Sequence, residues 1–218
     1  ILWLVQKKNL SVLGLMPDKQ RLSYFIILFI VSAICSASAY LLKILFLKEE
    51  YVLTPSLKIG SVLLEIWYQF RTVLTEELLC RGAVLYILIK RIGASKAILI
   101  SAVFFAILHW LNAGVWGNIL QMIIVFSFTF TMGLLLAYAY ARTFSLLMPF
   151  AIHYGWNLTQ NYIFPDSAAG THIFTLAAPP PSVTVSYFIF FTVLLLPKIS
   201  VIVADYLIVK QHKQAQMP

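Results

Sequence analysis

Thr75-Glu76-Glu77-Leu78-Leu79-Cys80-Arg81 sets two adjacent carboxylates and a guanidinium inside a long apolar run. The chain has only eight Asp and Glu residues, and two of them stand here side by side. A charge at the centre of a membrane helix costs at least ~2.5–3.5 kcal/mol on the mildest scale. A buried group of three charges therefore calls for a reason, and the rest of the chain can be read as its surroundings.

Those surroundings are those of a membrane protein. Of 218 residues, 61% are hydrophobic and 11% charged, with a mean hydropathy of +0.89. A soluble domain is roughly 45–50% apolar and about 25% charged. No polar stretch is long enough to form a second, soluble domain, so residues 1–218 read as a single membrane-embedded domain. The net charge of +8 would raise the question of nucleic acid in a soluble protein. Here Lys and Arg cluster in short polar gaps, as cytoplasmic loops do, and nucleic acid is not an expected partner. Cys35 and Cys80 both lie in apolar runs and form neither a disulfide framework nor a zinc knuckle. Residues 1–5 are apolar and read as the end of an earlier, partial span. No signal peptide with a cleavage site is visible.

A span needs ~20 apolar residues to cross a ~30 Å core. The apolar runs predict an all-α, polytopic transmembrane helical bundle with spans over 22–47, 59–89, 97–111, 118–141, 146–164 and 183–204, about six in all. Ser56, after Pro55, reads as the N-cap of the second. Asn112-Ala113-Gly114 ends the third, Asp166, Gly170 and Pro179-Pro180-Pro181 mark a loop, and Pro197 predicts a kink in the last. Placing 7–21 in the cytoplasm puts Lys90, Arg91, Lys96, Arg142, Lys210 and Lys213 on the same side, with both ends of the chain cytoplasmic. Lys48 and Lys58 run against this pattern but share their loop with Glu49 and Glu50, and Lys198 near the end of the last span is a further exception.

Polar residues that persist inside these runs point to a site. Glu65, Gln69, Thr72, Glu76 and Cys80 recur at helical spacing and make one mostly polar stripe. Glu77 lies ~100° away on the helix, four residues before Arg81, the arrangement of an i,i+4 ion pair. Glu77 thus has a local partner and Glu76 does not. The bland alternative is that both carboxylates merely neutralise Arg81 and Arg71. His109 closes the third span, and His153 and Asn157 share one helix face, which Gln160 extends. At ~1.5 Å per residue, Glu76 lies roughly 20 Å, His109 about 18 Å, His153 about 9 Å and Asn157 about 15 Å from the cytoplasmic ends of their spans. Such depths let one carboxylate, two imidazoles and a carboxamide meet at one level.

Glu76-Glu77-x-x-x-Arg81, Phe105-x-x-x-His109 and His153-x-x-x-Asn157, in this order on separate spans, resemble the three motifs of the CAAX protease and bacteriocin-processing family. These are glutamate-type intramembrane endopeptidases related to the type II CAAX prenyl protease. The motif core runs over 76–157 and no motif position departs from the pattern. The resemblance implies a metal-independent peptide-bond hydrolase without a cofactor. Glu76 and His109 then look like the water-activating pair, His153 and Asn157 like the oxyanion hole, and Glu77 with Arg81 like structural support.

The residue types agree with this chemistry. Peptide hydrolysis needs an activated water, a stabiliser for the oxyanion and a proton for the leaving amine. Glu76 with His109 can hold and deprotonate a water, and Asn157 and an imidazole N–H of His153 can donate to the oxyanion. Cys80 lacks a His in its own helix turn and is not favoured as a nucleophile. Zinc held by Glu76, His109 and His153 is the internal rival, although no His-Glu-x-x-His element exists. A non-catalytic immunity or scaffold protein of the same fold and a small proton-coupled transporter are the other readings. No inverted repeat supports the transporter. Expected partners are membrane lipids and a membrane-associated peptide or protein in a cell membrane; the short loops look prokaryotic. Substrate identity and oligomeric state are not legible.

Overall fold

The computed structural model describes residues 13–16, 18–55, 57–164 and 172–215. Helix α1 (Lys19–Leu42) is capped by Asp18, whose carboxylate accepts from the Arg21 amide, and continues as a π-helical turn, Lys43–Leu47. The turn ends at Lys48 in the left-handed region, φ 58°. A short strand β1 (Tyr51–Leu53) follows, then α2 (Ile59–Cys80), α3 (Ala83–Ile92) and α4 (Ala94–Leu108), which tightens into a 3-10 turn at His109–Leu111. Helix α5 (Ile119–Thr143) is capped by the Asn118 side chain. Helix α6 (Leu147–Leu158) runs into a π-helical turn, Thr159–Ile163. Strand β2 (Phe174–Leu176) pairs antiparallel with β1, Val52 opposite Thr175, and α7 (Tyr187–Gln211) completes the chain.

Among the described residues, four stretches are long and apolar enough to cross a membrane: Lys19–Leu47, Ala94–Leu111, Ile119–Thr143 and Tyr187–Gln211. The protein is thus an all-α, multi-pass membrane bundle, but among the described residues the expectation of about six spans is corrected, by length and composition, to four. The two that fail do so for physical reasons. Helix α2 carries Glu65, Arg71, Glu76 and Glu77, and α6 has only 12 residues. The predicted span 59–89 is also not one helix. It breaks at Arg81-Gly82, where a Cβ on residue 82 would collide with the Leu78 carbonyl oxygen. The residue at the α2 cap position is Lys58, without a side-chain cap, and Ser56 lies outside the described residues. So do the proposed partial span in 1–5, Lys7, Lys8, Asp166 and Gly170. Pro197 sits inside α7, which reaches Gln211 rather than stopping near 204.

Apolar side chains on the outer faces, among them Ile34, Leu64, Trp67, Leu120 and Phe188, are exposed, as lipid-facing residues must be. The basic loops gather at one end. Arg142 at the end of α5 donates to the carbonyls of Lys210 and His212, the Ala215 amide donates to the Arg142 carbonyl, and Ser145 Oγ donates to the Gly14 carbonyl at 2.9 Å. Leu85, Tyr86 and Ile89 of α3 pack into the same cluster as Leu13, Tyr140 and Phe144. The β1–β2 pair links the loop after α1 to the loop after α6.

Helix α6 is the central element, with every residue from Met148 to Gly155 buried, and it packs on α1, α2 and α5. Close approach to α1 depends on Gly155, where a Cβ would collide with the Phe29 carbonyl oxygen. Overpacking of this kind costs about 1–3 kcal/mol. Gly155→Ala is therefore expected to lower the unfolding temperature in detergent, whereas Gly60→Ala, where a Cβ meets nothing within 4 Å, should leave it near the wild-type value.

Candidate active site

Helix α2 has an inverted character. Leu63, Leu64 and Trp67 face outward, while the buried face carries Gln69, Val73, Glu77 and Cys80 at helical spacing. Glu77 and Arg81 are both fully buried, and Arg81 Nη1 meets Glu77 Oε1 at 2.9 Å. The i,i+4 pair read from the sequence is present. Its surroundings were not foreseen: the same Oε1 also accepts from His153 Nδ1 at 2.8 Å, from a helix 76 positions away in sequence. The Arg81 guanidinium lies 4.0 Å from the centroid of the Phe105 ring. Phe105 in turn stands edge-on to His109 and His153, with ring centroids 4.4 and 5.6 Å apart. One aromatic ring thus touches the guanidinium and both imidazoles.

The hydrogen bonds assign the tautomers. A carboxylate only accepts, so His153 Nδ1 carries the proton toward Glu77. Nε2 of the neutral ring is then an acceptor, and Asn157 Nδ2 donates to it at 3.1 Å. The N–H donor role expected of His153 belongs only to its doubly protonated form. His109 Nδ1 likewise donates to the Phe105 carbonyl at 2.8 Å, leaving Nε2 with the lone pair. Both imidazoles therefore keep Nε2 for other partners.

Glu76 is not on the fully buried face. Its side chain is 34% exposed, and Oε2 lies 3.6 Å from His153 Nε2, too far for a hydrogen bond. A cavity of about 470 Å³ is lined by all four residues expected to do chemistry, Glu76, His109, His153 and Asn157. Gln69 and Thr72 from the polar stripe and Gln160 line it as well. His109 is within Coulombic range of Glu76, His153 and Arg81. Cys80 is buried outside the cavity lining, and its carbonyl accepts from Ser101 Oγ at 3.0 Å.

Residues 58–159 match the family model described as type II CAAX prenyl endopeptidase Rce1-like. Over that part, the chain is similar to this family of endopeptidases. The matched segment runs from the start of α2 to the end of α6 and holds Glu76, Glu77, Arg81, His109, His153 and Asn157. No curated protein and no solved structure matches the chain significantly. Among the described residues, no group of three or more His, Cys, Asp or Glu is arranged to hold a metal ion.

Two features of the site escaped the sequence reading. The link from Glu77 to His153 leaves no mark in local spacing, because both already had nearer partners to suggest. Lys198, read as a topological exception, lines the cavity. Its position within an apolar run was the available signal.

Breaking a buried ion pair by removing one partner costs about 3–5 kcal/mol, because the other charge stays buried. Glu77→Gln and Arg81→Met are each expected to destabilise the protein by that order. The double variant should cost clearly less than the sum, measured by thermal unfolding in detergent.

Proposed function

We propose that the protein is an intramembrane endopeptidase of the glutamate type, a single membrane-embedded domain that hydrolyses a peptide bond in a membrane-associated protein or peptide without a metal. The observation that carries this reading is the convergence of Glu76, His109, His153 and Asn157 on one cavity. The similarity of residues 58–159 to type II CAAX prenyl endopeptidases supports it.

Glu76 and His109 Nε2 hold the attacking water between a carboxylate and an imidazole lone pair. The water oxygen adds to the substrate carbonyl carbon while its proton passes to Glu76. Asn157 uses one amide hydrogen on His153 Nε2, which fixes the plane of the amide, and presents the second to the developing oxyanion. Glu77 holds His153 from the other side and sets its tautomer. Glu76 then passes the proton to the leaving nitrogen. The C–N bond then breaks to give a carboxylic acid and an amine.

The basic end of the bundle, with Lys90, Arg91, Lys96, Arg142, Lys210 and Lys213 in its loops and tail, faces the cytoplasm of a prokaryotic cell in this reading. Both ends of the chain follow, and lipids cover the apolar outer faces.

A positioned general base contributes about 10²–10⁴ in rate. Glu76→Gln should lower cleavage of a co-expressed membrane substrate by at least that lower figure while the purified protein keeps its unfolding temperature; undiminished cleavage would sink the mechanism. Asn157→Ala should cost about 10²–10³ in kcat. Treatment with a strong chelator should leave the rate intact, and loss of activity restored by zinc would favour a metal enzyme.

A further inference from the structure

Glu65 stands on α2 eleven residues before Glu76, on the polar stripe that leads into the catalytic cavity. At ~1.5 Å per residue the two carboxylates lie roughly 16 Å apart along the helix. Glu65 is half-buried, and Gln69 Nε2 donates to its Oε1 at 3.1 Å. Gln69 is itself buried, lines the cavity, and accepts from Asn161 Nδ2 at 3.5 Å. Asn161, Gln69 and Glu65 thus form a chain of donors that runs along the cavity wall and ends on a carboxylate. Among the described residues no Lys or Arg pairs with Glu65, although the chain holds 16 Lys and Arg against 8 Asp and Glu.

Two further features favour a positive charge at the same place. The Tyr162 side chain is buried and within Coulombic range of Glu65, and its hydroxyl has no hydrogen-bond partner among the described residues. A phenol oxygen can accept from an ammonium or a guanidinium. Asn161 and Tyr162 also belong to the π-helical turn that follows α6, so the helical run over 147–163 ends here. A helix C-terminus carries partial negative charge and favours cations. One carboxylate is too few ligands for a resident metal ion, whereas a basic side chain needs only one. An extended peptide covers ~3.3–3.6 Å per residue. With its scissile carbonyl at Glu76, a peptide lying along the stripe brings a side chain about five residues away to Glu65.

We propose that Glu65, Tyr162 and the end of the α6 helical run form a subsite for a basic side chain of the peptide substrate, Lys or Arg, about five residues from the bond that is cut. This inference rests on the endopeptidase reading above. Glu65 acts in specificity, with no part in bond breaking.

The test uses the purified full chain in liposomes. A library of peptides lacking Asp and Glu, acetylated at the N-terminus and amidated at the C-terminus, carries one Arg or its neutral isostere citrulline at a varied position. Mass spectrometry locates each cut. The wild type is expected to cleave the Arg peptides with kcat/KM at least tenfold above their citrulline counterparts, with the Arg about five residues from the cut bond. In Glu65→Gln, which keeps an acceptor for Gln69, the ratio should fall to about one, and in Glu65→Lys it should fall below one. Binding of the same peptides to Glu76→Gln, by fluorescence anisotropy, should show the same preference, and the Glu65→Gln/Glu76→Gln double variant should lose it. An unchanged preference in Tyr162→Phe overturns the part given to the hydroxyl. Cleavage with no preference, or a ratio unchanged in Glu65→Gln, overturns the subsite and leaves the endopeptidase reading standing. Glu65-dependent binding without any cleavage keeps the subsite and overturns the endopeptidase reading. Binding with no preference for Arg and no cleavage overturns both.

Discussion

One carboxylate oxygen joins the structure to its chemistry. Glu77 Oε1 accepts from Arg81 on its own helix and from His153 on α6, and all three side chains are buried. Either charge alone at this depth is costly, and the pair repays its desolvation only if the remaining hydrogen-bonding capacity is used. His153 uses part of it. The contact fixes the rotation of α2 against α6, the tautomer of the imidazole, and through Nε2 the orientation of Asn157.

The break between α2 and α3 is read most simply from the same constraint. Arg81 forms the end of α2 and turns its guanidinium inward, between Glu77 and the Phe105 ring. The chain needs a residue without a side chain immediately after it, because a Cβ at Gly82 collides with the preceding turn. Helix α2 then keeps its apolar residues for lipid and its polar ones for the protein interior, the reverse of a soluble amphipathic helix. Phe105 serves both sides of this arrangement, receiving the guanidinium on its face and the two imidazoles at close range.

Much of the candidate site was legible because its groups are expensive. A carboxylate, two imidazoles and a carboxamide inside apolar runs stand out against a chain that is 61% hydrophobic, and helical spacing told Glu76 from Glu77. The Glu77–Arg81 pair was legible because it is local, one turn apart. The number of spans was less so. Apolar runs alone suggested spans over α2 and α6, but the charges of α2 and the 12-residue length of α6 keep both from qualifying. The β1–β2 pair was missed altogether, since each strand is only three residues long and sits in a loop.

By itself the sequence determined that the chain is a multi-pass helical membrane protein, which residues carry charge into it, and which of those lie on a common helix face. These follow from composition and from periodicities of a few residues. Only the tertiary structure decided that Glu77 holds His153, that both imidazoles keep Nε2 for other partners, and that Lys198 lines the cavity with Glu76. Those facts depend on how each helix is rotated about its own axis against its neighbours. That rotation is set by close contacts such as Gly155 on Phe29, between residues far apart in the chain.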